Sequence, residues 1–382
     1  MNFSVGRSIA CIALSFQAAV GMSTSSFAQP PGRSIHTSSV SSAQALRDIP
    51  SLEVMLDKLE GHTSTPVITA LAGSPDGKYI AVAGDDHAIR IILAESGETV
   101  QTVLGHHDWI QSLLFAYSSS ADALSADRTV PDLYSAGHDG RVLRWKFTFP
   151  LEAQEVAIVP YAIRSISVSS EKQLLAIGGF SDEVLLYDLV AGQYVNRLRC
   201  ATADQRCVRF SPDGSRVLAG SRDGEILVWD TTSGDSIAQY REHQSRIHTA
   251  AFSADARWVT SAGEDRRLVR YDLSQKAVVW SHELALSKLM SLCLINDQLV
   301  AVAGADNGIR LFDAQSNLVI AEMQGHLGTV AVMAACGDSL ASGSFDTTVR
   351  VWSLTALEEM RVQRNIPTSR TPIKIDTQVQ IR

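Results

Sequence analysis

The chain of 382 residues has little of what most chemistries need. It contains no Cys-x-x-Cys pair and no Cys/His spacing of the zinc-site kind. A phosphate-cradling glycine loop, a nucleophile elbow and a cysteine–histidine catalytic signature are also missing. Basic residues are in the minority, with 33 Lys and Arg against 41 Asp and Glu, a net charge of −8. A nucleic-acid binder would carry a basic face, so this balance speaks against that class. No apolar run is long enough to cross a membrane. The stretch Ile9–Met22 has 14 residues, against the roughly 20 that a spanning helix needs. Arg7 is the only charge in residues 1–28, and Ser26-Phe27-Ala28 follows the apolar stretch. Together these read as a secretory signal peptide cleaved after Ala28, with no stable membrane insertion afterwards. The expected location is the periplasm or outside the cell.

What is present is ordinary globular composition, 45% hydrophobic, and a repeat. Residues 29–50 are rich in Ser and Pro and read as a flexible, solvated linker. The stretch 325–354 is the clearest copy of the repeat. Val330 to Ala335 is apolar on both faces, as in a strand buried on both sides. Gly337-Asp338 is a turn pair. Leu340 to Ser344 is a small-residue strand, a tight turn follows at Phe345 to Thr348, and Val349 to Trp352 is β-branched. The tight-turn Asp recurs at Asp86, Asp139, Asp182, Asp223, Asp265, Asp306 and Asp346. The intervals are 53, 43, 41, 42, 41 and 40 residues, and all but the first fit a repeat of about 40–45. An aromatic residue follows six places later at Trp145, Trp229, Tyr271, Phe312 and Trp352, and five later at Tyr187.

The spacing of His326, Ser342, Asp346 and Trp352 resembles the structural tetrad of the WD-repeat family, whose blades run from a Gly-His pair to a Trp-Asp pair. Gly-His stands at 61–62, 105–106 and 325–326, while the last pair here reads Trp352-Ser353. The resemblance implies an all-β fold: a seven-bladed β-propeller of four-stranded antiparallel blades over residues 51–362. It implies tetrads at His106, Ser135, Asp139 and Trp145, at His243, Ser261, Asp265 and Tyr271, and at His326, Ser342, Asp346 and Trp352. Blade one keeps His62 and Asp86 but has Val82 and Ile92 for the serine and tryptophan. Blades three, four and six are more degenerate, so packing is expected to carry them. Tyr117 to Asp132 reads as a longer loop inserted in blade two. In such proteins the N-terminal strand often completes the last blade. Residues 52–60 suit that role, with Glu358 to Val362 as the alternative and a helix over 51–60 also fitting the pattern.

The same resemblance rejects the Ser-His-Asp sets as catalytic triads, because the tetrad occupies each member structurally. Partners are expected on the face of the tight turns and leading loops. The candidates are Trp109, His138, Phe180, Arg222, Arg246, Glu264 and Phe345, with Asp85, Asp204, Ala305 and Lys288 at matching positions. Their mixed signs favour a protein or peptide partner, with no catalytic residue, metal or cofactor. The competing reading is an enzyme on a propeller scaffold, a quinoprotein-like oxidoreductase or a metal-dependent hydrolase. It needs inward-facing carboxylates, histidines or stacking tryptophans. First-strand residues such as Ser165, Ile166, Thr249, Ala250, Val332 and Ala334 are instead small or apolar. Cys200 and Cys207 are a candidate disulfide, whereas Cys293 and Cys336 read as buried hydrophobes. The tail, residues 363–382, alternates apolar and polar from Ile373 to Arg382 and reads as an added strand on the protein's own surface or on a partner's sheet edge.

Overall fold

The computed structural model describes residues 46, 49–61, 64–117, 131–284 and 287–363. The expected signal peptide over residues 1–28, most of the expected linker, His62, the body of the blade-two insertion and the alternating tail lie outside the described residues. Seven four-stranded antiparallel sheets follow one another along the chain. Strand β1 is Ser51–Met55. Blade one is β2 (Ile68–Gly73), β3 (Tyr79–Gly84), β4 (Ala88–Leu93) and β5 (Thr99–Leu104). Blade two is β6 (Ile110–Ala116), β7 (Asp132–Gly137), β8 (Arg141–Lys146) and β9 (Glu152–Ile158). Blade three is β10 (Ile163–Ser169), β11 (Leu174–Gly179), β12 (Glu183–Asp188) and β13 (Gln193–Arg199). Blade four is β14 (Gln205–Phe210), β15 (Arg216–Ser221), β16 (Glu225–Asp230) and β17 (Ser236–Arg241). Blade five is β18 (Ile247–Phe252), β19 (Trp258–Gly263), β20 (Arg267–Asp272) and β21 (Ala277–Glu283). Blade six is β22 (Leu289–Leu294), β23 (Leu299–Gly304), β24 (Ile309–Asp313) and β25 (Leu318–Met323). Blade seven is β26 (Val330–Cys336), β27 (Ser339–Ser344) and β28 (Thr348–Ser353), with β1 as its fourth strand.

The ring therefore closes through the N-terminal segment. Ser51 pairs with Trp352 and Met55 with Thr348, antiparallel. Arg350 donates to Ser51 Oγ at 3.0 Å and also pairs with Glu53. Val54 and Leu56 pack into the core shared by blades seven and one, beside Ile92, Val349 and Val351. Of the two closing segments the sequence left open, the C-terminal one is a helix, α1 (Leu354–Gln363). It buries Leu354 and Leu357 against blades six and seven. The solvated-linker reading of residues 29–50 fails at its end. Leu46 and Ile49 are buried, and Leu46 bridges the outer strand of blade six through Leu46 N–H to Ile320 O (2.9 Å) and Glu322 N–H to Leu46 O (2.8 Å).

Each innermost strand packs beside the next, from β2 through β6, β10, β14, β18 and β22 to β26, and β26 returns to β2. Serine hydroxyls stitch neighbours together: Ser112 Oγ accepts from Ile166 N (3.2 Å) and Ser167 Oγ from Phe210 N (3.0 Å). Core residues between blades are largely Ala, Val, Ile and Leu, as strands covered on both faces require. The Ser-Pro-Asp-Gly turn at 74–77 closes on Asp76, which accepts from Ser74 Oγ (2.6 Å). Gly77 sits there at φ +73°, and a Cβ would meet Gly337 Cα at 2.9 Å. Only glycine fits that approach.

The expected Cys200–Cys207 bridge is absent, and both are free thiols. Cys200 follows the outer strand of blade three and Cys207 lies in the innermost strand of blade four. Their side chains pack in different cores, so closeness in sequence does not bring the sulfurs together. Burial pushes the Cys207 and Cys293 thiols up to about 11 and those of Cys200 and Cys336 to about 12.

Candidate functional site

Two sets of residues organise one face of the ring: the tetrads that hold the loops, and the residues the loops present. In blade two, Trp145 Nε1–H donates to Ser135 Oγ (2.8 Å) and Ser135 Oγ lies 2.8 Å from His106 Nε2. His106 Nδ1 lies 2.9 Å from the Asp139 carboxylate. An ionised carboxylate only accepts, which puts the imidazole proton on Nδ1. Each group then donates once, from Trp to Ser to His to Asp. Blade seven repeats this with Trp352 to Ser342 (2.9 Å), Ser342 to His326 (2.8 Å) and His326 to Asp346 (3.1 Å). In blade five the chain stops one member short. His243 contacts Asp265 (2.9 Å) and Ser261 (2.8 Å), while Tyr271 stacks on Tyr240 with ring centres 3.7 Å apart. Among the described residues no bond joins Tyr271 to Ser261.

Burial raises the Asp139 carboxyl, but bonds from His106 and from the amides of His107 and Arg141 outweigh it and hold the group down at about 2. Asp346 is likewise held at about 2 against its own burial by Thr348, the Leu327 amide and His326. Burial keeps His326 below the ordinary imidazole range, partly offset by Asp346. All three groups bind protons less readily folded than unfolded. Their contribution is full above the unfolded pKa and is lost as pH falls, first below about 6.5 for His326, then from 3.8 toward about 2 for the carboxyls. Each carboxylate is worth about 2 kcal/mol. Thermal melts from pH 7 to pH 2.5 should show a steady fall, and a flat profile would contradict these networks.

Blade one, which lacks the serine and tryptophan, and blade six, expected to rely on packing, both carry substitute networks. In blade one, the buried Arg90 grips Asp86 with both Nη atoms (3.2 and 2.6 Å) and donates to Asp57 O (2.9 Å). In blade six, Arg310 pairs with Asp306 at 2.5 Å. Blade three corrects the repeat register. Phe180 N–H donates to Ala162 O, so the residue after it, Ser181, holds the tight-turn position assigned to Asp182. With Ser181 in place, the intervals on either side become 42 and 42, and Tyr187 follows six residues later as in the other blades.

That backbone bond occurs in all seven blades. The amides of Asp85, His138, Phe180, Arg222, Glu264, Ala305 and Phe345 donate to the carbonyls of Val67, Trp109, Ala162, Asp204, Arg246, Lys288 and Thr329, at 2.8–3.1 Å. The turn residue and the leading-loop residue of every blade are thus locked side by side. All seven innermost strands then bulge two residues further on, for example between Ile163 and Ser165. A bulge re-aims the extra side chain. Here the extra residues are Thr69, Gln111, Arg164, Arg206, His248, Met290 and Ala331. All seven line one funnel-shaped cavity of about 520 Å³. Its floor is Leu71, Leu113, Leu292, Met333 and Arg209, which also line a second cavity of about 240 Å³ beyond.

The sequence-predicted surface residues surround this funnel, while the cations inside it were missed. Trp109 (47% exposed) stacks on His138 at 6.0 Å, and His138 meets Phe180 (48% exposed) edge-on at 6.4 Å. Phe345 (48% exposed) lines the cavity wall. Arg246 (3.4 Å), His248 (3.1 Å) and Lys288 (3.3 Å) converge on Glu264, and Arg222 is exposed. The expectation that the inner strands offer only small or apolar groups is corrected by Arg164, Arg206, Arg209 and His248. Leu327, 88% exposed beside the Phe345 turn, was also overlooked. Among the described residues, no group of three or more His, Cys, Asp or Glu side chains is arranged to hold a metal ion.

Fold and site define a seven-bladed propeller stitched by His–Ser–Asp–Trp networks around a cationic funnel. The WD domain, G-beta repeat family matches residues 54–92, 192–230, 234–272 and 318–353. Each match spans the outer strand of one blade and three strands of the next, the same offset that lets β1 complete blade seven. The chain is 24% identical to periodic tryptophan protein 2 of Saccharomyces cerevisiae over 365 residues, covering 75% of this chain and 38% of the relative. It is 23% identical to human serine-threonine kinase receptor-associated protein over 197 residues (44% and 56%). It is 26% identical to UBP9-binding protein bun62 of Schizosaccharomyces pombe over 157 residues (41% and 26%). In each case the chain spans little more than half of the relative's length, or less. Four matched repeats and these relatives support a WD-repeat family.

Proposed function

We propose that this protein is a non-catalytic WD-repeat scaffold that binds a protein or peptide partner on the face bearing the tight turns. The observation that carries this reading is the rim of exposed Trp109, Phe180, Leu327 and Phe345 around the funnel. Large apolar side chains anchored on hydrogen-bonded turns suit interface hot spots. The printed names of two relatives point the same way, one receptor-associated and one UBP9-binding. The tetrad histidines are occupied by structural hydrogen bonds, and three arginines line the funnel against one carboxylate, Asp85. Affinity capture from extract of the source cells should yield a partner. A folded variant carrying Trp109→Ala, Arg222→Ala and Phe345→Ala should lose it, and equal capture by both would overturn the assignment of this face.

The proposed location is the periplasm or outside the cell, on the strength of Arg7, the Ile9–Met22 stretch and Ser26-Phe27-Ala28. Mass spectrometry of the chain recovered from cells is expected to find Gln29 as its first residue in the exported fraction. An intact Met1 end in the cytosolic fraction would contradict it.

A further inference from the structure

The funnel gathers its cations on one side of the ring, and its arginines outnumber the carboxylate that lines it. Its cations come from adjacent blades: Arg164 from blade three and Arg206 and Arg209 from blade four, with His248 beside them from blade five. Arg206 is paired with Asp204 at 2.9 Å. His248 shares Glu264 with Arg246 and Lys288. The remaining two arginines have no such counterion. Arg164 donates to His138 Nε2 (3.2 Å) and lies over the Phe180 ring at 5.9 Å. Arg209 donates to Ser165 Oγ (3.2 Å), Ile166 O (3.4 Å) and Val208 O (2.9 Å), all uncharged. Among the described residues neither has a carboxylate within ion-pair distance. The acid lining the cavity, Asp85, comes from blade one, where its Oδ1 accepts from Val67 N at 2.8 Å. Burial and the neighbouring Arg206 also hold the Arg164 guanidinium down, to about 10, with Asp204, already paired to Arg206, offsetting only part of the shift.

Guanidinium groups removed from water without an acid are costly, and a carboxylate entering their cavity recovers that cost through charge-assisted hydrogen bonds. We infer that the funnel receives an Asp or Glu side chain from an acidic peptide segment of the partner, with Arg164 and Arg209 as its ligands. Apolar residues flanking that acid would rest on Trp109, Phe180 and Phe345 at the rim. The inference rests on the scaffold reading and names the chemistry its partner must present. A peptide suits the dimensions, since a cavity of about 520 Å³ admits side chains, and the chain's overall charge of −8 repels an extended polyanion.

The test uses the full-length purified chain and a phage-displayed library of random peptides. The enriched peptides are expected to share an Asp or Glu next to an aromatic or aliphatic residue. Synthetic copies should bind Arg164→Gln about tenfold or more weakly, with Arg164→Lys recovering part of the loss and the melting temperature unchanged. Arg209→Gln, if it folds, should weaken them similarly. Enriched peptides without acids, or acidic peptides indifferent to Arg164→Gln, would overturn the inference while leaving the scaffold standing. Full displacement by inorganic phosphate or succinate, at concentrations matching the peptide, would also overturn it by making this a small-anion site. Failure to enrich any peptide would overturn the inference, while the scaffold reading would still stand or fall on the affinity capture.

Discussion

A chain lacking residues 46–56 is expected to lose its single cooperative melting transition and to elute as aggregate. Those residues supply the fourth strand of blade seven, and without them β28 presents an unpaired edge beside the first blade. Four buried apolar side chains go with them, Leu46, Ile49, Val54 and Leu56. At about 1.5–3 kcal/mol each, the loss is roughly 6 kcal/mol or more. That is comparable with the whole stability of a typical protein, about 5–15 kcal/mol. Met55, exposed on the same strand, provides the control: Met55→Ala should change stability by no more than about 0.5 kcal/mol. Calorimetry and size-exclusion chromatography decide the matter. A monodisperse truncated chain with an unchanged melting temperature would mean that the ring does not close through its N-terminal segment.

The second large effect is expected at a single carboxylate. Asp346 accepts from the Leu327 amide (2.7 Å), the Thr348 amide (3.0 Å) and Thr348 Oγ1 (2.7 Å), and it pairs with buried His326. Asp346→Ala removes all four interactions and strands an imidazole in the core. The expected cost is roughly 3 kcal/mol, seen as a melting temperature several degrees lower. Asp182→Ala is the matched comparison. Asp182 lies one residue past the network position, which is Ser181, so its loss should cost no more than about 0.5 kcal/mol. Equal destabilisation by the two substitutions would show that the blade-three register is wrong.

The blades were legible because most of them leave the same marks: an Asp at a tight turn, an aromatic six residues later and an apolar run between them. The turn residues that surround the funnel could be read for the same reason, since they precede that Asp. Blade three misled because Ser181 and Asp182 are both plausible turn residues, and only the Phe180 amide bond shows which holds the position. The arginine substitutes in blades one and six were hidden because Arg90 and Arg310 sit on the third strand, where a surface charge would look the same. The funnel cations were missed for a geometric reason. Strict alternation assigns first-strand side chains by a period of two, and the bulge at Arg164, Arg206 and His248 adds a residue to that count. An isoleucine before a polar residue, repeated at four strand starts (Ile68-Thr69, Ile110-Gln111, Ile163-Arg164 and Ile247-His248), is the signal that could have revealed it. Cys200 and Cys207 show the converse, because near neighbours in sequence are separated by the width of a blade.

The central claim is that the partner sits on the face of the tight turns. The most direct measurement is photocrosslinking in the source cells, with a photoreactive amino acid placed at Leu327 on that face or at Leu104 on the exposed outer strand of blade one. Both side chains are exposed, so neither substitution should disturb the fold. The account predicts a discrete crosslinked species from position 327, abolished by Trp109→Ala and Phe345→Ala, and none from position 104. A species formed from position 104 and absent from position 327 would contradict it.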